Sequence, residues 1–434
     1  MEIRSQELRS AREIITGTDF CKAGGTNPST VYLGIYNGVS FIASLLEQIL
    51  NQTNKSFPLI VVDNASSDES WNQILAWPQE VLDRAKLIRN LINLGGIGSF
   101  MLNLDQVETE WVITMHQDDT YGPNHVAVLN KAIASSSNDE IVVFSDMGTQ
   151  DMDSKRIFTP IRQSWIANLE SPQSAFRANL VQQSVSYPSA AFRIKELTPI
   201  HTAWHSSSFP DTEITLLQAS KGSFRFVPEL TMLYRMNPKS ESHDLNPKER
   251  VLGPFASLSR VMASDSFLRL CLTVQEKDRQ SFSKAVLEGI EIRLGESPFS
   301  EIVKLIAAES MAMAWDYTET TSRDQIVQTY KLAEDGRTTK LLEELGVFYG
   351  EVQTSPTGTP SQPLSEAQIE LEKLLSAATP PSNAQAGGAQ RFVLTLIGRL
   401  LPLPIRRKVV SLVVRLYTKI VPTSPWNLSW KPKS

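Results

Sequence analysis

Cysteine is nearly absent from this 434-residue chain: only Cys21 and Cys271 occur, so neither a disulfide framework nor a cysteine metal cluster organises it. Histidine is sparse too, five in all, and no two stand at zinc-ligand spacing. No run of 18 or more uncharged apolar residues occurs, which excludes a spanning helix from expectation. The first stretch, "MEIRSQELRSAREIITG", is charged and lacks the apolar core of a signal peptide. An excess of basic residues is also missing: the formal net charge is −5, which argues against nucleic acid as the general partner. With 41% hydrophobic and 21% charged residues, what remains is the composition of a globular protein with a substantial core, expected in the cytoplasm.

From about residue 30 strand and helix signals alternate. "TVYLGIY" (30–36), "FPLIVVDN" (57–64), a short run near "AKLIRN", "EWVITM" (110–115) and "EIVVFSD" (140–146) read as strands. Helices are expected over 40–52, around 68–84 and around 96–106. Continuous apolar strands separated by helices imply right-handed βαβ units and a mainly parallel sheet buried on both faces. In such sheets ligands bind beyond the carboxyl ends of the strands, which makes Tyr36-Asn37, Asp63-Asn64 and Gln117-Asp118-Asp119 candidates for one shared crevice.

Chemistry concentrates at those ends. In "MHQDDTYGPNH" (115–125) two adjacent carboxylates, Asp118 and Asp119, follow an apolar run. Like charges beside an apolar core are costly unless something neutralises them; a bound divalent cation does so, and a solvated turn is the plainer alternative. "IVVDNASSDES" ends a strand on Asp63, whose carboxylate can accept a hydrogen bond from the N–H of a nucleobase; Asn64 to Asp68 read equally as turn and helix-cap residues. "NLINLGGIGSF" (90–100) opens a helix with Asn93, Gly95 and Gly96, where backbone can approach an anionic ligand.

Taken in order, "GIYNGVSFIASLLEQILNQTNKSFPLIVVDNASSDES", "NLGGIGSF" and "WVITMHQDD" resemble a family 2 glycosyltransferase, closely over 30–130 and more loosely to about 243. The resemblance implies an α/β GT-A (nucleotide-diphospho-sugar transferase) fold, a Rossmann-like mixed sheet followed by a mainly helical C-terminal region. It implies that Tyr36 stacks on the base of a nucleotide-sugar donor, that Asp63 hydrogen-bonds that base, and that Asn37, Asn93, Gly95 and Asp118 line the donor site. Asp119 is then the metal ligand for Mn²⁺ or Mg²⁺, and Asp211 in "PDTE" the catalytic base, with Glu213 close enough to be confused with it. "YRMNPKSESH" resembles the segment that closes over the donor, Arg235 or His243 reaching phosphate or metal. One residue departs from the pattern: many relatives carry an acid where this chain has His116, which puts metal dependence in question, and a packed strand-end residue is the alternative for it. His125, His201 and His205 read as packing residues, as do Trp165, Trp204, Tyr187, Met311 and Trp315.

The implied activity is inverting transfer of a sugar from a nucleotide-diphosphate donor to a hydroxyl of a glycan or lipid-linked acceptor in surface polysaccharide synthesis. A nucleotidyltransferase is the competing enzyme class, disfavoured because "YNGVSF" after the first strand lacks a Gly-rich basic loop; a non-catalytic scaffold is the other alternative. By segment, 1–29 is an N-terminal extension, 30–248 the transferase domain, 249–352 a helical domain, 353–390 a linker rich in Pro, Ser, Thr, Gly and Ala, and 391–434 a basic tail. Within the tail, 391–421 holds seven Arg and Lys and no acid among many Leu, Ile and Val. Such helices suit an anionic membrane surface at the inner face of the cell membrane, or dock as a hairpin on protein.

Overall fold

The computed structural model describes residue 9 and residues 12–151, 157–158, 169–197, 210–236, 247–295 and 298–316. His201, His205, Trp165, Trp204, His243, the linker and the basic tail lie outside them. The chain divides into two compact units, Met1–Leu245 with Val274–Gly289, and Asn246–Thr273 with Ile290–Ser434.

The first unit is built on one mixed sheet. Its first half runs β1 (Glu13–Thr16), β4 (Ala85–Arg89), β3 (Leu59–Asp63), β2 (Ser29–Ile35) and β5 (Trp111–His116). Here β4, β3, β2 and β5 are mutually parallel, as the alternation of strands and helices predicts. Their registers are level at the carboxyl end: Ile35 stands beside Asp63, Asp63 beside Arg89, and Gly34 beside His116. The second half, β9 (Ala190–Arg193), β7 (Glu140–Asp151), β10 (Ser223–Met236) and β6 (Thr120–Tyr121), is mostly antiparallel, with β8 (Ile157–Phe158) on β7. Only β7 and β10 pair in parallel there, through register shifts around Pro228, a residue that interrupts the strand pattern in sequence.

Alternation along the strands sends side chains to two buried faces. Val31, Leu33, Val61, Leu87, Ile113 and Met115 pack under α2 (Ile42–Leu50), α3 (Ser70–Leu75) and α6 (His125–Ala134), which contribute Leu45, Ile49, Trp71, Ile74 and Leu129. On the opposite face Tyr32 meets Phe100 of α5 (Gly95–Leu102) edge-on at 4.9 Å between ring centres, and Phe20 of α1 (Phe20–Thr26) lies under the Lys86 ammonium at 4.5 Å. The single helix expected over 68–84 is two pieces, α3 and α4 (Gln79–Leu82), because Pro78 denies the interior of a continuous helix its amide. The strand and helix within 12–26 have no counterpart in the sequence reading. All four residues of β1 are exposed, so no apolar alternation marks it.

In the second unit α10 (Pro247–Met262), α11 (Asp265–Thr273) and α13 (Pro298–Asp316) pack around Phe267, Leu268, Cys271, Met311 and Ala314. The Trp315 indole N–H donates to the Cys271 carbonyl at 3.0 Å, and α12 spans Arg279–Leu294. Among the described residues no helix is long and apolar enough to cross a membrane.

His125 is fully buried at the start of α6, its Nδ1 2.8 Å from the Thr231 hydroxyl and its ring 4.9 Å from that of Tyr121. Burial drives its pKa down to about 3. A depressed pKa means that the folded state refuses a proton the unfolded chain accepts, so this group's stabilisation is present above pH 6.5 and is lost as pH falls toward 3. His125→Phe is expected to remove a slope of about 1.4 kcal/mol per pH unit from the acid limb over that window, measured by urea denaturation at successive pH values.

Candidate active site

The level carboxyl ends of β4, β3, β2 and β5 gather the polar residues that the strand pattern singles out. Asp63 ends β3 fully buried. Its Oδ2 faces the Arg89 guanidinium at 3.2 Å and accepts from the Ser66 amide at 3.3 Å, while its Oδ1 is buried without a partner. Tyr36 follows β2 and is 40% exposed, uncommon for an aromatic residue at the edge of a buried sheet. Gln117 clamps its backbone from the neighbouring strand end: Tyr36 N–H donates to Oε1, and Nε2 donates to the Tyr36 carbonyl, both at 3.0 Å. Asn37 adopts a left-handed backbone, φ 45°, donates its N–H to Ser66 Oγ and accepts from the Ser67 amide. That side chain thereby ties the ends of β2 and β3 together.

Asn64 is buried and uses all of its amide. Its Nδ2 donates to Asn93 Oδ1 at 2.7 Å and to the Gly95 carbonyl at 3.2 Å; its Oδ1 accepts from Asn90 Nδ2 and from the Leu94 amide. Gly95, at φ 70°, makes the left-handed turn that starts α5, a conformation costly for a side-chain-bearing residue. Asn93 and Gly95 are therefore held against the end of β3, not spread along a free loop.

Beyond β5 the acid pair divides. Asp118 is half-buried, whereas Asp119 is fully buried. Asp119 Oδ1 accepts from the Arg235 amide at 3.0 Å, and Oδ2 has no partner. Burial pushes this carboxyl up to about 8; the Asp118 charge adds to the rise, and the Arg235 amide and guanidinium oppose it. Of the segment "YRMNPKSESH", Tyr234 to Met236 close strand β10 and the rest lies outside the described residues; Arg235 Nε donates to the Asp118 carbonyl while its guanidinium stands 5.4 Å from the Phe41 ring.

His116 ends β5, half-buried, with its N–H on the Tyr121 hydroxyl at 2.6 Å. Burial lowers its pKa, and the carboxylates of Asp118 and Asp211 pull it back up, so Asp211 is near enough to act on it through space. After α7 (Pro172–Val181) and α8 (Ile194–Leu197), Asp211 stands in the first turn of α9 (Pro210–Ala219), its Oδ2 accepting from Gln183 Nε2 at 3.4 Å, while Thr212 Oγ1 donates to the Gln183 oxygen at 2.9 Å. Glu213, two residues on, is buried, and Tyr187 packs against Phe100 and Phe192. Arg89, Asn90 and Gln183 carry parts of the site that sequence reasoning did not single out; only position at a strand end marks the first two.

Residues 30–195 match the family model described as glycosyl transferase family 2. Over those residues the chain is similar to family 2 glycosyltransferases. Among curated relatives, this domain region is 30% identical over 97 residues to "Putative glycosyltransferase EpsE" of Bacillus subtilis (strain 168), covering 22% of the chain and 35% of the relative. It is 22% identical over 130 residues to "Uncharacterized glycosyltransferase RP339" of Rickettsia prowazekii (strain Madrid E), covering 30% and 39%. The chain thus spans little more than a third of the length of these relatives. A solved structure of S. aureus TarS 1-349 in complex with UDP-GlcNAc is similar at 14% identity and TM-score 0.44, over 67% of this chain and 90% of that one.

The first unit depends on Asn64 to hold its 90–95 turn. Asn64→Ala leaves the Leu94 amide and the Gly95 carbonyl without their partners, and a loss of about 2 kcal/mol of unfolding free energy is expected by urea denaturation.

Proposed function

We propose that this protein is an inverting glycosyltransferase that moves a sugar from a nucleotide-diphosphate donor to a hydroxyl of a glycan or lipid-linked acceptor in surface polysaccharide synthesis. The observation that carries the reading is a pair of buried acids at one sheet rim, Asp63 and Asp119, each with one carboxylate oxygen unpartnered. Buried acids with idle oxygens are costly, and a donor offers each what it lacks. At Asp63 Oδ1 the missing partner is a nucleobase N–H, with Tyr36 stacking on the ring and Asn37, Asn93 and Gly95 shaping the walls. At Asp119 Oδ2 it is a cation.

Among the described residues no three His, Cys, Asp or Glu side chains form a cluster able to hold a metal ion by themselves. The Asp118–Asp119 pair still fits Mn²⁺ or Mg²⁺, because hard cations in phosphate sites take one or two carboxylates and complete their shell with diphosphate oxygens and water. When bound, the cation neutralises charge on the departing nucleoside diphosphate. His243 is a further candidate ligand in this proposal, and Arg235 a phosphate partner. Asp211 accepts the proton from the acceptor hydroxyl as that oxygen attacks the anomeric carbon opposite the leaving group. A single displacement of this kind inverts the configuration. Gln183 and Thr212 orient the Asp211 carboxylate for that task. The basic segment 391–421 is proposed to meet an anionic membrane surface, which would keep a lipid-linked acceptor at hand.

Calorimetric titration of the protein with UDP, GDP and dTDP, with and without Mn²⁺, tests the donor half of this reading. One nucleotide is expected to bind with Mn²⁺ present, and Asp119→Asn to weaken it by about tenfold or more. Binding of none of the three, or binding indifferent to both Mn²⁺ and Asp119, would overturn it. For the acceptor half, Asp211→Asn is expected to leave nucleotide affinity intact and to lower turnover by about 10² to 10⁴, measured as nucleotide release from the matching sugar nucleotide.

A further inference from the structure

The family match begins at residue 30, yet residues well before it are built into the domain. Strand β1 pairs antiparallel with β4 from Glu13 beside Arg89 to Thr16 beside Lys86, and Phe20 is fully buried on the sheet. Immediately before β1, Arg12 turns inward. Its side chain is 3% exposed; Nη1 donates to Asn103 Oδ1 at 2.6 Å and to the Leu102 carbonyl at 3.3 Å, and both terminal nitrogens meet the Asp105 carboxylate, at 3.1 and 2.9 Å.

From that contact an unbroken line of side-chain amides leads to the sheet rim. Asn103 Nδ2 donates to Asn90 Oδ1 at 3.2 Å, Asn90 Nδ2 to Asn64 Oδ1 at 3.0 Å, and Asn64 Nδ2 to Asn93 Oδ1 at 2.7 Å, which also accepts from the Gly95 amide at 2.8 Å. The line has a direction. A guanidinium only donates, so Asn103 must present its oxygen to Arg12 and its nitrogen to Asn90, and each later link repeats the choice. Turning any one amide over would set donor against donor or acceptor against acceptor. The Ser99 carbonyl, which accepts from Asn103, and the Leu94 amide, which donates to Asn64, are satisfied by the same orientation. Charged donors make the stronger bonds, and Arg12 is the one charged member of the line.

We propose that Arg12, upstream of the matched family domain, is a positioning residue that holds the 90–95 turn in its donor-facing shape through Asn103, Asn90 and Asn64; that this turn faces a nucleotide rests on the function proposed above. Arg12→Met keeps the apolar stem and removes every donor, whereas Arg12→Lys keeps a charged one. In the full-length protein, hydrogen–deuterium exchange read on peptides covering 90–100 is expected to quicken by about tenfold or more in Arg12→Met. Peptides over β2 and β5 should keep their wild-type rates, and Arg12→Lys should restore most of the protection. In parallel, the nucleotide that wild type binds with Mn²⁺ is expected to bind Arg12→Met about tenfold more weakly.

Unchanged exchange over 90–100, or equal quickening across the whole sheet, would overturn the proposal. So would faster exchange at the turn with nucleotide affinity unchanged. Wild type binding none of UDP, GDP or dTDP overturns the donor reading instead, and the exchange pattern still decides whether Arg12 holds the turn. Should Arg12→Met fail to fold, Asp105→Asn takes its place: it frees the guanidinium from its ion pair, and the same regional pattern is expected at smaller size.

Discussion

Four parallel strands that end level must satisfy, at one rim, every polar group their ends expose. Among the groups beyond β4, β3, β2 and β5, those of Asn64 and Asn90 are buried, and an unmet buried group costs as much as a lost hydrogen bond. This chain meets the demand with uncharged amides. Asn64 and Asn90 carry the backbone on from their strands, their own N–H groups donating to the Ile35 and Asp63 carbonyls, while their side chains cross-link the next turn. Gln117 does the same for β2 from the end of β5. An amide offers both donors and an acceptor without the desolvation cost of a charge. The frame of the rim is thus built from neutral groups, and of the carboxyl groups set in it Asp63 and Asp119 each keep one oxygen without a partner.

This division of labour explains which residues were legible in the sequence. An acid after an apolar run is conspicuous, because burial of a charge needs a reason, and Asp63, Asp118 and Asp119 stood out on that ground. The strands 30–36, 57–64 and 110–115 were legible for a related reason: a sheet covered on both faces is written as an unbroken apolar run. Asn90 and Asn103 carry no such contrast. An asparagine in a turn is ordinary, and only the pairing of β3 with β4 brings Asn90 within reach of Asn64.

What sequence pattern could not supply was partnership at long range. Arg12 lies among charged residues and reads as solvated, yet it meets residues about 90 positions away. β1 is exposed along its length and β9 is four residues long, so neither carries a burial signal strong enough to announce itself. In sequence, Arg235 is placed only through the resemblance of "YRMNPKSESH" to a closing segment, with no strand expected to lead into it. In the structure, the register shifts around Pro228 let β10 continue, and its far end delivers an amide to Asp119.

His116 shows how the balance at the rim is kept. An acid at this strand end would stand with Asp118 and Asp119 and near Asp211, and a further carboxylate in a partly buried cluster would raise the cost of ionising all of them. Burial instead favours a neutral imidazole here, against the pull of Asp118 and Asp211. The backbone of His116 is anchored on the Tyr121 hydroxyl, so the end of β5 keeps its place without help from the side chain. Charge repulsion is thereby confined to the adjacent pair, where Asp119 already resists ionisation because it is buried. Under the proposed function, a rim that carries fewer negative charges would repel an incoming diphosphate less, and would rely correspondingly more on Arg235 and on a cation at Asp119 to hold it.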